Sequence, residues 1–190
     1  MLRALRRPAL LAEPFEASDD RVRALLRAHY REVWRILRHL GVSTAHAEDG
    51  AQLVFLTAAS KLSRLEEGKE RAFLVATAVR VASNLRRSAA ARYECPDEHI
   101  DGVADEAPSA EELLDSKRMR GLLDHVLDRL NDELRTAFVL FELEGLEMAQ
   151  IAEIIGVPRG TVASRLRRAR EAFTREANRV RARLASSEER

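Results

Sequence analysis

The stretch GLEMAQIAEIIGVPRGTVASRLRRAREAF, residues 145–173, gathers the most pointed side-chain chemistry in the chain. Arg159, Ser164, Arg165, Arg167 and Arg168 all lie within it. A guanidinium donates a fork of hydrogen bonds that matches a guanine edge or a phosphate, and a serine hydroxyl can supplement it. Such a set suits recognition of a polyanion and makes no bond by itself. At about 100° per residue, Val162, Leu166, Ala169 and Phe173 fall within about 60° of one another and must face a core. The opposite face then carries Gly160, Ser164, Arg167, Arg168 and Glu171, with Arg159 and Arg165 on the flanks. A plain amphipathic hairpin with a solvated arginine face has the same spacing.

The elements that would hold this face are legible. Met148, Ile151, Ala152 and Ile155 give a short helix that stops at Gly156, where glycine accepts the positive φ of a sharp turn. Ala152 is small enough for two helices to approach closely. Pro158 is tolerated in the first turn of the next helix, where its missing N–H is not needed. The pattern is a helix-turn-helix, whose second helix enters the DNA major groove.

Upstream, Leu122, Leu123, Val126, Leu127 and Leu130 mark one amphipathic helix, and Leu134, Ala137, Phe138 and Phe141 another that stops at Gly145. Near the start, Val22, Leu25, Leu26, Val33, Ile36, Leu37 and Leu40 keep helical spacing up to Gly41, and Ser43 or Thr44 can cap a second helix over Ala45–Leu62. A third runs from Glu70 to Ala90 and carries Phe73, Leu74, Thr77, Val81 and Leu85. Between the two blocks, ARYECPDEHIDGVADEAPSAEE loses periodicity and reads as an acidic linker. The expected fold is all-α: an N-terminal extension (1–17), a helical domain (18–90), a linker (91–112), a helix-turn-helix domain (113–182) and a tail (183–190).

Composition agrees. The 190 residues hold 8 Gly and 5 Pro, and aromatic residues make up 5%. Few turn formers and abundant Ala, Leu, Arg and Glu disfavour a sandwich or barrel. The formal net charge of +1 hides a pattern: +5 over residues 18–90, −8 over 91–115 and +3 over 116–190. Two basic blocks suit a polyanion partner, although solvated helix faces give similar counts. Only Lys61, Lys69 and Lys117 are lysines among 32 basic residues. The lone Cys95 excludes a disulfide framework, and its spacing to His99 brings no further metal ligands. The five histidines, His29, His39, His46, His99 and His125, form no ligand set. No P-loop, zinc-protease or nucleophile-elbow motif is present. No catalytic residue, metal or cofactor is expected. No apolar run reaches the roughly 18 residues of a membrane helix, and the apolar patch Ala9–Ala12 is too short for a signal peptide. A soluble cytoplasmic protein is expected, without membrane insertion or a small-molecule substrate.

From Leu130 to Glu171, LNDELRTAFVLFELEGLEMAQIAEIIGVPRGTVASRLRRARE resembles the C-terminal promoter-binding domain of bacterial RNA polymerase sigma factors of the extracytoplasmic-function group. AHYREVWRILRHLGVSTAHAEDGAQLVFLTAASKL and RAFLVATAVRVASNLRR resemble the group's other domain, in the right order. The sequence departs from the family pattern in places. Gln52-Leu53 replaces Gln-Glu, and Phe73 replaces the usual Trp. Arg80 and Asn84 stand for Asn and Asp, and Leu130-Asn131 replaces Leu-Pro. Gly50 sits inside a helix at a cost of about 1 kcal/mol against Ala.

The resemblance implies a specificity subunit that binds core RNA polymerase and directs it to promoter DNA in a stress or signal response. Glu48, Asp49 and Gln52 match the positions that dock on the β′ clamp coiled coil, although the two carboxylates also suit a helix N-terminus for structural reasons alone. Arg80, Asn84, Arg86 and Arg87 sit where the minus-ten element is read and melted. Arg159, Ser164, Arg165, Arg167 and Arg168 would meet the minus-thirty-five element. The β flap is a second polymerase contact, and an anti-sigma factor is a candidate further partner. The alternative is a helix-turn-helix regulator that does not join polymerase.

Overall fold

The computed structural model describes residues 13–92 and 110–188, and every regular element among them is helical. Residues 1–12 of the expected extension and residues 93–109 of the acidic linker, with Cys95 and His99, lie outside the described residues.

The first bundle consists of α1 (Glu13–His39), α2 (Thr44–Lys61) and α3 (Glu70–Arg92). Helix α1 sends Leu25, Val33, Ile36 and Leu37 inward, as their spacing requires, and Leu40 is buried just past its end. The other two helices answer largely with small residues, Ala47, Ala51, Ala58, Ala78 and Ala82, set around Val54, Phe55, Leu74 and Val75. Each large side chain contributes about 1.5–3 kcal/mol by burial. The alanines contribute less by area but let the axes approach. Gly50 belongs to this device. A Cβ there would stand 3.1 Å from the Cδ1 methyls of both Leu37 and Leu85, so the propensity lost in α2 is offset by a close three-helix crossing.

Helix α1 ends in a Schellman cap. Gly41 takes φ 87°, its N–H donates to the Arg38 carbonyl at 2.8 Å, and the Val42 N–H reaches back to the Leu37 carbonyl at 3.0 Å. Ser43 stands at the N-cap of α2, but its hydroxyl meets His46 Nδ1 at 2.8 Å and makes no cap bond.

The second bundle consists of α4 (Ala110–Asp128), α5 (Asp132–Phe138), α6 (Met148–Ile155) and α7 (Arg159–Glu188). Asn131, which stands where the family pattern has proline, is the N-cap of α5: its side-chain oxygen accepts the Leu134 N–H at 2.9 Å. The helix expected to run through Phe141 is not uniform, because a π turn over Val139–Leu143 follows α5. Two outer boundaries also move. Helix α1 begins at Glu13, inside the expected extension, and α7 continues to Glu188 through the residues expected as a tail.

Helix α6 opens on a capping box between Glu147 and Gln150. It closes on Gly156, at φ 69°, whose N–H donates to the Ala152 carbonyl at 2.9 Å. Pro158 then accepts the Thr161 and Val162 N–H groups through its carbonyl and launches α7. Helix, left-handed turn and second helix follow in the expected order.

Candidate nucleic-acid interface

Helix α7 is oriented by its apolar seam. Val162, Leu166 and Ala169 are buried, and Phe173 stacks on Phe138 with ring centroids 4.5 Å apart. Ser164, Arg167 and Arg168 consequently lie on the exposed side, beside Gly160, where a Cβ would meet nothing within 4 Å. Arg168 and Arg159 are exposed and join none of the ion pairs formed among the described residues. Arg167 meets Glu171 at 2.9 Å, but both side chains are well exposed, so the pair holds only about 0.3–0.5 kcal/mol and yields readily to a phosphate or base. The Ser164 hydroxyl donates to the Thr161 carbonyl at 2.9 Å. Arg165 differs. It meets Glu133 at 2.6 Å with only 18% of its side chain exposed, and so it braces α7 against α5.

On α3 the four expected residues divide. Arg80, Asn84 and Arg87 are exposed and fall on one face, and Arg87 donates to the Asn84 side-chain oxygen at 2.5 Å. Arg86 points elsewhere. Its guanidinium donates to the Leu40 carbonyl and sits 3.4 Å from Asp132 of α5, with 16% of its side chain exposed. One step along a helix turns a side chain by about 100°, which separates Arg86 from its neighbour. Phe73 is half-buried, with Lys61 Nζ 5.9 Å from its ring centre.

A third surface lies between α1 and α2. Glu48, Asp49 and Gln52 rim an open groove of about 400 Å³ whose floor includes Leu26, Tyr30, Phe55 and Leu56. Leu26, Leu53 and Leu56 are 42%, 47% and 59% exposed. Apolar side chains beside carboxylates fit a partner helix that offers aliphatic and basic residues. The leucines were not among the expected site residues. The available signal was that Leu53 and Leu56 lie off the stripe of Ala47, Ala51, Val54 and Ala58 that faces the core.

Residues 25–92 match the family model for Sigma-70 region 2, and residues 120–173 match that for Sigma-70, region 4. The chain belongs to the sigma-70 family. Among its sigma relatives, the ECF RNA polymerase sigma factor SigE of Mycolicibacterium smegmatis is 31% identical over 167 residues. That match covers 83% of this chain but 63% of SigE, so the chain spans less than two thirds of that relative's length. The ECF RNA polymerase sigma-E factor of Escherichia coli K12 is 40% identical over 72 residues, 38% of each chain. The fold is shared with the sigma factor RpoE of Bartonella quintana, solved with the anti-sigma factor NepR. There the TM-score is 0.59 at 23% identity, over 80% of this chain and 94% of that one. It is shared too with CnrH, solved with the cytosolic domain of CnrY, at TM-score 0.57 and 19% identity over 80% and 84% of the two chains.

In this sigma-family chain, region 2 holds the α3 face and the α1–α2 groove, and region 4 holds the helix-turn-helix. No helix among the described residues is long and apolar enough to cross a membrane.

Where the two regions meet, His39 closes α1. Burial, and then the charges of Arg35, Arg135 and Arg38, hold its imidazole pKa down at about 4, and its Nδ1 is buried without a hydrogen-bond partner. The unfolded chain takes up this proton near pH 6.5 and the folded chain does not. The contribution of neutral His39 is therefore complete above about pH 6.5 and is lost as pH falls toward 4. Thermal melts should show the wild type losing up to about 2 kcal/mol more than His39→Gln between pH 7 and pH 5. Parallel pH profiles would contradict this account of His39.

Proposed function

We propose that this chain is a promoter-recognition subunit of RNA polymerase. In this reading the α1–α2 groove docks on the β′ clamp coiled coil, the exposed face of α3 reads and opens the minus-ten element, and α7 reads the minus-thirty-five element. The observation that carries the reading is the pairing of regions 2 and 4 in one chain, in order, each exposing a polar helix face free of the core. Arg80, Asn84 and Arg87 are suited to an unstacked strand: asparagine pairs with an adenine edge and arginine holds the backbone. Arg86, turned toward α5, is less available than its neighbours in this conformation. The chemistry of RNA synthesis belongs to the polymerase. A regulator that never joins polymerase has no support, since residues 25–92 match region 2. An anti-sigma factor remains a partner consistent with the family.

The deciding experiment is run-off transcription with purified core polymerase on DNA from upstream of the chain's own gene, where start-site-specific transcripts are expected only with the chain present. For the docking groove, Asp49→Ala combined with Gln52→Ala should weaken core binding by about 1–2 kcal/mol, or five- to thirtyfold. Both residues are exposed, so the melting temperature should stay near wild type. Unfolding of the double variant would instead make these residues structural.

A further inference from the structure

The match to region 4 ends at residue 173, but α7 runs on to Glu188. Ala172 and Phe173 pack on the core, and Ala177 and Val180 continue that side half-buried. The helix therefore keeps its orientation past Phe173, and the side that faces away from the core at Arg168 still faces away two and three turns later. At about 100° per residue, Arg175 and Arg179 each fall within about 20° of Arg168 around the axis. Both are exposed, and so is Asn178 between them. Arg175 joins none of the ion pairs formed among the described residues. Arg179 meets Glu176 at 2.6 Å with 66% of its side chain exposed, so that pair gives way readily to another anion. Glu171, already paired with Arg167, is the one carboxylate on this face of α7 among the described residues.

Along the axis, at about 1.5 Å per residue, Arg175 and Arg179 stand about 10 and 16 Å behind Arg168. A recognition helix reads bases with the residues near its start, in a groove about 12 Å wide bordered on both sides by phosphates. The helix is straight and the groove winds around the duplex. Side chains two and three turns behind a base contact therefore reach the bordering phosphates and not base edges. Arginine forks suit that rim of anionic oxygens. We propose that the rear half of α7, through Arg175 and Arg179, is a phosphate-gripping arm that continues the Arg168 face and fastens the chain to duplex DNA beside the minus-thirty-five element without reading its sequence. The arm presupposes the α7 face proposed above as the reader of that element. Labour is then divided along one helix: the front half selects a sequence, and the rear half adds affinity that any duplex receives. Continuity with Arg168 favours duplex DNA over an acidic protein surface as the occupant.

The test is promoter binding by holoenzyme carrying the full chain, on matched and mismatched elements at several salt concentrations. Arg175→Ala with Arg179→Ala is compared with Arg181→Ala, whose exposed side chain points about 120–160° away from the pair. The double variant should keep its helicity, because alanine is the stronger helix former. It should lower the salt slope by about two and weaken matched and mismatched DNA by the same factor, about five- to fiftyfold near 0.1 M salt. Arg175→Lys with Arg179→Lys should restore the slope, since a phosphate accepts either cation. An unchanged slope in the folded double variant, or an equal loss with Arg181→Ala, overturns the arm. A weakened preference for the matched element makes the pair base readers and overturns it too. Weaker binding to core polymerase with the DNA slope unchanged puts a protein surface on this face instead. If no form of the chain directs transcription with core polymerase, the promoter function falls, and the free full chain on unrelated duplex at low salt decides the arm. Binding by the wild type that is lost in the double variant keeps the arm. Equal binding by the two, or no binding by the wild type, overturns it.

Discussion

Arg168→Ala is expected to weaken binding to the cognate minus-thirty-five element by about 1–3 kcal/mol, roughly five- to 150-fold. The side chain is exposed, joins no ion pair among the described residues, and lies opposite the seam of Val162 and Leu166. A bidentate arginine discriminates among bases, so its loss should also flatten the preference at one position of the element. Arg159, at the start of α7, should behave differently. As a phosphate contact it would weaken all sequences alike and lower the salt slope by about one. Promoter binding by holoenzyme on matched and mismatched DNA, at several salt concentrations, separates the two. Arg181→Ala is the control, since that exposed side chain points about 140° away from Arg168 around the helix. Equal behaviour of Arg168→Ala and Arg181→Ala would mean that α7 meets DNA by another face, or not at all.

Ile151→Ala should be the most disruptive single change in the helix-turn-helix. Ile151 is fully buried on α6, at the centre of the packing that fixes the angle of α7. Truncating such a side chain costs about 2–5 kcal/mol, partly through the cavity left behind. At about 4–8 °C per kcal/mol for a domain of this size, the melting midpoint of region 4 should fall by roughly 10–30 °C. Leu56→Ala provides the contrast. Leu56 is 59% exposed, so its truncation should leave the melt nearly unchanged while weakening attachment to polymerase. A melt shifted equally by both substitutions would refute the assignment of Leu56 to a docking surface.

What could be read before folding follows a physical division. The seam of Val162, Leu166, Ala169 and Phe173 was legible because a helix has one period and a core has one side. The turn at Gly156 was legible because few residues accept its backbone angle. The long start of α1 was not, since EPFEASDD carries no apolar stripe, and the extension of α7 through RARLASSE rests on helix propensity without a repeating core face. The π turn after Phe138 left no mark in the apolar spacing. Arg86 shows the deeper limit. The turn of one residue sets it on a different face from Arg87, but what that face meets, Asp132 and the Leu40 carbonyl, is distant in sequence. Leu26 and Leu56 fail in the same way. Periodicity marks a residue as apolar but does not say whether its own chain covers it.

The cap at Gly41 ties a local angle to a distant charge. The backbone there is left-handed, and the Arg135 guanidinium stands where a first side-chain carbon would go. Asparagine, the common substitute for glycine at a left-handed residue, answers the angle but not the crowding. Making room requires Arg135 to release the His39 carbonyl and Asp128. Positions 41 and 135, 94 residues apart, are therefore epistatic: a side chain that is damaging at 41 becomes tolerable when the residue at 135 is shortened.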